Sequence, residues 1–550
     1  MVWRPYGTSA ADPVHIALPG LTLEVDGAAP DITEEDGVIV VRLGGGRVEW
    51  AIPCADAVAY WTPDSDRPRW LPPSWARPPK VMLSRGAPVA VLIGAGDDSL
   101  CTAALSPVPG EAVLTGGVVE ETGEFRFWAE YAEPFELRID LRRVHFAAAL
   151  GEVAAWWQGD SARSVPLAAR LPTYCTWYAL HQHVTAEAVE EQAVLAAGLG
   201  CSAIIVDDGW QTADTGRGYG HCGEWEPVFP DMPGHVHRVR SLGLAYILWF
   251  ALPFLGERSA AWSELKPLLL KEIPDLQAGV LDPRHAEVRD FLTGKLSAAV
   301  AEWGCDGLKV DFVDTYADPD VMPALAQLLG QLDARLREVR PDVLVEHRQN
   351  YVSPLLWPYA TMVRAADCPL SPAENRQRII DLRLTAGPLA VHADPVTWHP
   401  ASSPEDIAAQ LINAIFGVPQ ISADLTALTD AQRAAVAFWL GFSREHLGVL
   451  QLGLLRPARA EQGYPLVVAT DGVTTIAGRY SALPVEVPGG RLLVANADAD
   501  ERVILAAEPG QTRNAEVRGC TGVVVWAGPV DFPAGLATVR VPRGGLLSVA

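Results

Sequence analysis

Between residues 171 and 422, short apolar runs alternate with stretches of helical pattern, and this limits the fold more than any other feature. The runs at 171–177, 203–207, 244–250, 307–311, 343–347, 362–367, 389–392 and 418–422 read as eight strands. A helix is expected from Thr185, as its cap, to Gly198, as its stop. Asp282-Pro283 should open another that runs to about 303, with proline in the first helical position. A third is expected over 323–339. Ser371-Pro372-Ala373-Glu374 reads as a capping box, and Ser403-Pro404-Glu405-Asp406 as a similar start. Repeated strand–helix units of this length predict a central (β/α)8 TIM barrel. A doubly wound sheet is the alternative, weakened because no glycine-rich phosphate loop follows the first strand.

The flanks have a different character. Residues 38–43, 125–131 and 135–141 read as strands, the last alternating Phe135, Leu137, Ile139 and Leu141 with Glu136, Arg138 and Asp140. Beyond 456 the runs at 473–477, 491–495, 523–526 and 537–541 are separated by Gly- and Pro-rich turns. The expected class is therefore multidomain α/β plus all-β. An N-terminal β-sandwich (1–165) precedes the barrel (166–455), and a small C-terminal β-sandwich (456–550) follows it.

Composition narrows the functions. There are 43 basic and 67 acidic residues, a net charge of −24, so no basic surplus exists to neutralise phosphates and nucleic acid is excluded as a partner. The densest apolar run, 434–455, is broken by Arg444, Glu445 and His446, so no membrane span is expected. Residues 1–6 lack a basic region followed by an apolar stretch, and the eight cysteines form no Cys-x-x-Cys. Both point to a cytoplasmic protein with reduced thiols. Association of identical chains is compatible with all of this.

Enzymes on this fold build their sites at the C-terminal strand ends. Polar and aromatic residues collect there: Trp177 and Tyr178; Asp207, Asp208, Trp210 and Gln211; Trp249; Lys309 and Asp311; Glu346, His347 and Arg348; Arg364 and Asp367; His392 and Asp394. Two carboxylates at one barrel mouth are the minimum equipment for glycoside hydrolysis. Carboxylates accept hydrogen bonds from vicinal hydroxyls, lysine donates one, and tryptophan offers an apolar face to a sugar ring. His181-x-His183 and His235-x-His237 have no partner ligand at a metal-binding spacing and read as surface or loop residues, so neither a metal nor an organic cofactor is expected. No Gly-x-Ser-x-Gly elbow is present, and Cys368 reads as packing beside the site.

Four segments carry a resemblance: Val-Asp-Asp-Gly-Trp-Gln (206–211), Leu-Asp-Pro-Arg-His-Ala-Glu-Val-Arg (281–289), Gly-Leu-Lys-Val-Asp-Phe (307–312), and Arg-Ala-Ala-Asp-Cys-Pro (364–369) followed by Asn-Arg-x-Arg (375–378). In this order the chain resembles glycoside hydrolase family 36, the α-galactosidase and α-N-acetylgalactosaminidase group of clan D. The resemblance implies a retaining exo-α-glycosidase acting on a small α-linked carbohydrate, specifically an α-galactosidase that hydrolyses terminal α-galactosides through a covalent glycosyl-enzyme. It makes Asp311 the nucleophile and Asp367 the general acid/base, and it gives the 4- and 6-hydroxyls to Asp207 and Asp208 and a neighbouring hydroxyl to Lys309. It sets Trp177, Trp210 and Trp249 as pocket walls. Where many members carry Cys-x-x-Gly after strand five, this chain has Glu346-His347-Arg348-Gln349-Asn350-Tyr351, so a bulkier, charged edge with His347 and Arg348 is expected at the 2-position, and Arg364 is expected among the substrate-binding residues. An α-N-acetylgalactosaminidase, an α-galactosyl transferase and a non-catalytic sugar binder stay open. Lys309 should keep Asp311 ionised, and Asp367 should titrate higher. The two aspartates lie 56 residues apart, which sets them two strands apart. Retention requires their carboxyl groups about 5–5.5 Å apart, against roughly 6.5–9.5 Å for inversion.

Overall fold

The computed structural model describes residues 13–64, 69–159, 164–214, 216 and 218–550. Residues 1–6, read above for a leader, lie outside them. Eight parallel strands form the centre: β1 (Thr173–Cys175), β2 (Ala203–Val206), β3 (Ala245–Ala251), β4 (Gly307–Asp311), β5 (Leu344–Arg348), β6 (Met362–Arg364), β7 (Ala390–His392) and β8 (Gln420–Ile421). They pair in the order β7-β6-β5-β4-β3-β2-β1-β8. A parallel bridge between His392 and Val418 closes the ring. The class is therefore the expected barrel between two all-β parts.

Local chemistry explains where helices begin and end. The Thr185 hydroxyl accepts the Ala188 N–H at 3.2 Å and caps the helix Ala186–Leu199. Its stop is Gly200, in the left-handed region at φ +97°, and not Gly198, which lies inside the helix. Pro283 does not open a helix. Arg284 folds back onto Asp282 in a turn, and the helix runs over Ala286–Ala301. Ser371 precedes Pro372–Thr385 but makes no side-chain cap, and the Glu374 carboxylate pairs with Arg378 at 2.6 Å in place of the N-cap N–H. Ser403 does cap Pro404–Ala414, accepting the Asp406 N–H at 3.1 Å.

Because side chains alternate across a strand, Lys309 and Asp311 share a face, as do Glu346 and Arg348. The barrel floor is apolar, built from Cys175, Ile205, Ile247, Leu344 and Met362. Polar side chains sit above it. A three-stranded antiparallel insert (Phe254–Gly256, Leu269–Ile273, Ala278–Leu281), not legible in the sequence, follows β3.

The N-terminal part packs a five-stranded sheet on a six-stranded one, with Trp50 stacked on Phe127 in the core, ring centroids 5.2 Å apart. The C-terminal part opposes seven strands with three. Asp381, on the helix Pro372–Thr385, joins all three parts. Its buried carboxylate accepts from Trp61 Nε1 at 2.9 Å, Arg69 Nη2 at 2.5 Å and Tyr464 Oη at 2.6 Å. The sandwich loop 84–86 reaches the barrel loops through Ser84 Oγ on the Tyr316 carbonyl and Gly86 N–H on the Asn350 carbonyl. No helix among the described residues is long and apolar enough to cross a membrane.

Candidate active site

Asp311 is the last residue of β4 and is buried. Three donors fix its carboxylate. Trp249 Nε1 reaches Oδ2 at 3.0 Å, while the Phe312 N–H at 2.8 Å and Arg348 Nε both reach Oδ1. Burial works to raise this carboxyl, but the charges of Arg348 and then Lys309 outweigh it and hold it well below the usual carboxylate range. An ionised carboxylate held by three donors is what a nucleophile requires. The counter-ion is chiefly Arg348, whereas the sequence pointed to Lys309.

Lys309 turns instead to Asp207, at the end of β2, with Nζ–Oδ2 at 2.6 Å. Burial opposes the lysine's charge, and the Asp207 carboxylate more than offsets it, so Lys309 stays protonated. Asp207 also accepts from the Cys175 thiol, and its N–H donates to Thr176 Oγ1. Asp208 accepts from Gln182 Nε2 at 2.8 Å and Gln211 Nε2 at 2.7 Å, and burial raises its carboxyl. A Cβ on Gly218 would stand 2.1 Å from Asp208 Oδ1, so glycine there lets the chain cross the carboxylate.

Asp367 lies three residues past β6, on the loop before Pro372–Thr385, and its side chain is 58% exposed. Arg364 Nη2 holds its Oδ1 at 2.8 Å. The guanidinium charge lowers this carboxyl against the effect of burial. The sequence expectation was a group titrating higher. It is lowered and not raised.

The tryptophans divide. Trp249 supports the Asp311 carboxylate directly. Trp177, half-buried, opens the short helix Trp177–Leu180 after β1 and has its ring 4.8 Å from that of His181. Trp210 is fully buried among Trp225, Phe250 and Trp303, and its Nε1 donates to the Trp249 carbonyl at 2.8 Å. It therefore backs Trp249 and does not wall a pocket. His347 is buried with its ring against Tyr351 at 5.4 Å, on the opposite strand face from Arg348. His235 is buried on a helix, not on the surface, bonded to Glu190 at 2.8 Å and Tyr246 at 3.2 Å.

Two buried groups matter more than the sequence suggested. Asp394 accepts from Arg364 Nη1 at 2.5 Å, Tyr178 Oη at 3.0 Å and the Cys368 N–H at 2.9 Å. Glu346 lies inside the barrel, with Gln420 Nε2 at 2.5 Å and His392 Nδ1 at 3.4 Å from its Oε2. Burial pushes Asp394 up to about 6 and Glu346 up to about 7. Both positions stood out as polar strand ends, but nothing in the sequence indicates how deep they lie. Among the described residues no group of three or more His, Cys, Asp or Glu is placed to hold a metal ion.

No protein-family model matches the sequence, and no curated protein matches it. Solved structures do match the fold. A variant of the family 36 α-galactosidase AgaA from Geobacillus stearothermophilus, in complex with stachyose, superposes with a TM-score of 0.68 at 14% identity, covering 100% of this chain and 86% of that one. The α-galactosidase from Lactobacillus brevis gives 0.66 at 15% identity, covering 99% and 84%. The Thermus thermophilus α-galactosidase, in complex with p-nitrophenyl α-D-galactopyranoside, gives 0.61 at 17% identity, covering 83% and 98%. The chain has the fold of the family 36 α-galactosidases.

Proposed function

We propose that this protein is a retaining exo-α-glycosidase that hydrolyses terminal α-galactosides. The observation that carries the reading is Asp311, an ionised carboxylate held by Trp249, Phe312 N–H and Arg348 at the end of β4, with Asp367 two strands away in the barrel order. Asp311 attacks the anomeric carbon while Asp367 gives its proton to the departing oxygen, leaving a sugar joined to Asp311. Asp367 then takes a proton from water, which attacks the same carbon and frees Asp311 with the starting anomeric configuration. Asp207, Asp208 and Lys309 orient the sugar hydroxyls, and Trp177 gives an apolar face.

The galactose assignment rests on the Asp207-Asp208 pair and on the likeness to structures solved with stachyose and an aryl α-galactoside. Comparing aryl α-galactoside with aryl α-glucoside tests it, and faster release from the glucoside contradicts it. The Arg348 guanidinium on Asp311 favours a second reading, an altered 2-substituent, which faster cleavage of aryl α-N-acetylgalactosaminide would support.

A further inference from the structure

Arg364, the last residue of β6, is buried and divides its guanidinium between two carboxylates. Nη2 donates to Asp367 at 2.8 Å and Nη1 to Asp394 at 2.5 Å. The carboxylates differ sharply. Asp367 is largely exposed. Asp394 is fully buried and accepts from Tyr178 Oη and the Cys368 N–H, while Asn375 clasps its backbone from both sides at 2.8 and 3.1 Å. A lone guanidinium beside a carboxylate stabilises the anion, which works against any acid that must deliver a proton. A second carboxylate on the other arm offsets that charge.

We propose that Asp394 is a positioning residue which, by occupying one arm of Arg364, keeps the proton of Asp367 available to the leaving oxygen. This rests on the reading of Asp367 as the acid. The groups that face the bridge have both signs. Arg364, Lys309 and Arg348 favour the Asp367 anion. Asp394, Glu346 and Asp311 surround Arg364 with negative charge. Arg378 and Glu374, from the following helix, face Cys368 beside Asp394, and Tyr178 approaches from the short helix after β1. Asp394 and Asp367 share Arg364 and titrate as a coupled pair, so removing the Asp394 carboxylate leaves the whole guanidinium charge on Asp367.

The test is Asp394→Asn, with pH profiles of kcat/KM on an α-linked disaccharide and on a dinitrophenyl α-glycoside. The basic limb, which reports the acid, should move to lower pH by about one unit or more. At pH 7 the disaccharide should lose roughly tenfold or more in kcat/KM, whereas the dinitrophenyl substrate, which needs little protonation, should change by less than about threefold. Asp394→Glu should restore the limb. An unmoved limb with equal losses on both substrates would mean a merely structural role and overturn the proposal. If Asp394→Asn does not fold, Tyr178→Phe removes one donor to the same carboxylate and should move the limb in the same direction by less; a folded Tyr178→Phe protein with an unmoved limb also overturns it. A wild-type protein that cleaves no α-glycoside overturns the proposed function itself. Wild-type cleavage with an unmoved limb in the variants overturns only the role of Asp394.

Discussion

Replacing Glu346 by glutamine should stabilise the protein at alkaline pH and leave it nearly unchanged in acid. Glu346 is completely buried, and burial raises its carboxyl from an ordinary 4.5 to about 7. Below pH 4.5 the folded and unfolded chains both hold the proton. Between 4.5 and 7 the unfolded chain releases it first, so stability falls as pH rises, and above 7 the whole difference has been lost. At about 1.4 kcal/mol per pKa unit, that gap is worth roughly 3 kcal/mol. His392, beside it, runs the other way: burial lowers it from 6.5 to about 4, so it costs stability as pH falls, in both proteins alike. Glutamine keeps the shape and cannot ionise. Thermal unfolding followed by circular dichroism at pH 5 and pH 8.5 should give an apparent Tm about 5 °C higher for Glu346→Gln at pH 8.5 and a small change at pH 5. Equal shifts at both pH values, or a fall at pH 8.5, would refute the assignment of a proton to Glu346 near neutrality.

Asp367→Ala should spare the first step for an activated aryl α-glycoside while natural sugars barely react, and azide should restore turnover as a glycosyl azide of retained configuration. Equal losses on both substrates without azide rescue would remove Asp367 from its role. Exhaustive treatment with a chelator should leave the rate unchanged, because in the proposed mechanism the two carboxylates supply both acid and nucleophile. A loss restored by one divalent ion would contradict this.

The barrel was legible because its strands are short apolar runs ending in polar residues, and because periodicity changes at both flanks. Helix ends were less so. Gly198 and Gly200 are equivalent stops on paper, and only the second takes the left-handed conformation. Ser371 and Glu374 have the spacing of a capping box, but Arg378 one turn on competes for the glutamate and takes it. Within the candidate site, the strand-end residues could be named from their positions, yet their partners could not. Lys309 lies two residues from Asp311 in sequence, but strand pairing brings Asp207 to its ammonium. Arg348 reaches Asp311 from the next strand. The resemblance set Trp210 as a pocket wall, but the chain turns at Gly209, φ +121°, and the indole enters the aromatic core. Depth is a tertiary quantity, which is why Asp394 and Glu346 read as ordinary polar strand ends.

The central claim is that Asp311 forms a bond to the sugar. A 2-deoxy-2-fluoro-α-galactosyl donor with an activated leaving group slows both steps by destabilising the positively charged transition state, so the glycosyl-enzyme accumulates. Mass spectrometry of the digested protein should then find one fluorosugar on the peptide that contains Asp311, with none on Asp311→Ala. A label on any other residue, or steady turnover to an inverted product with no labelled peptide, would contradict the account.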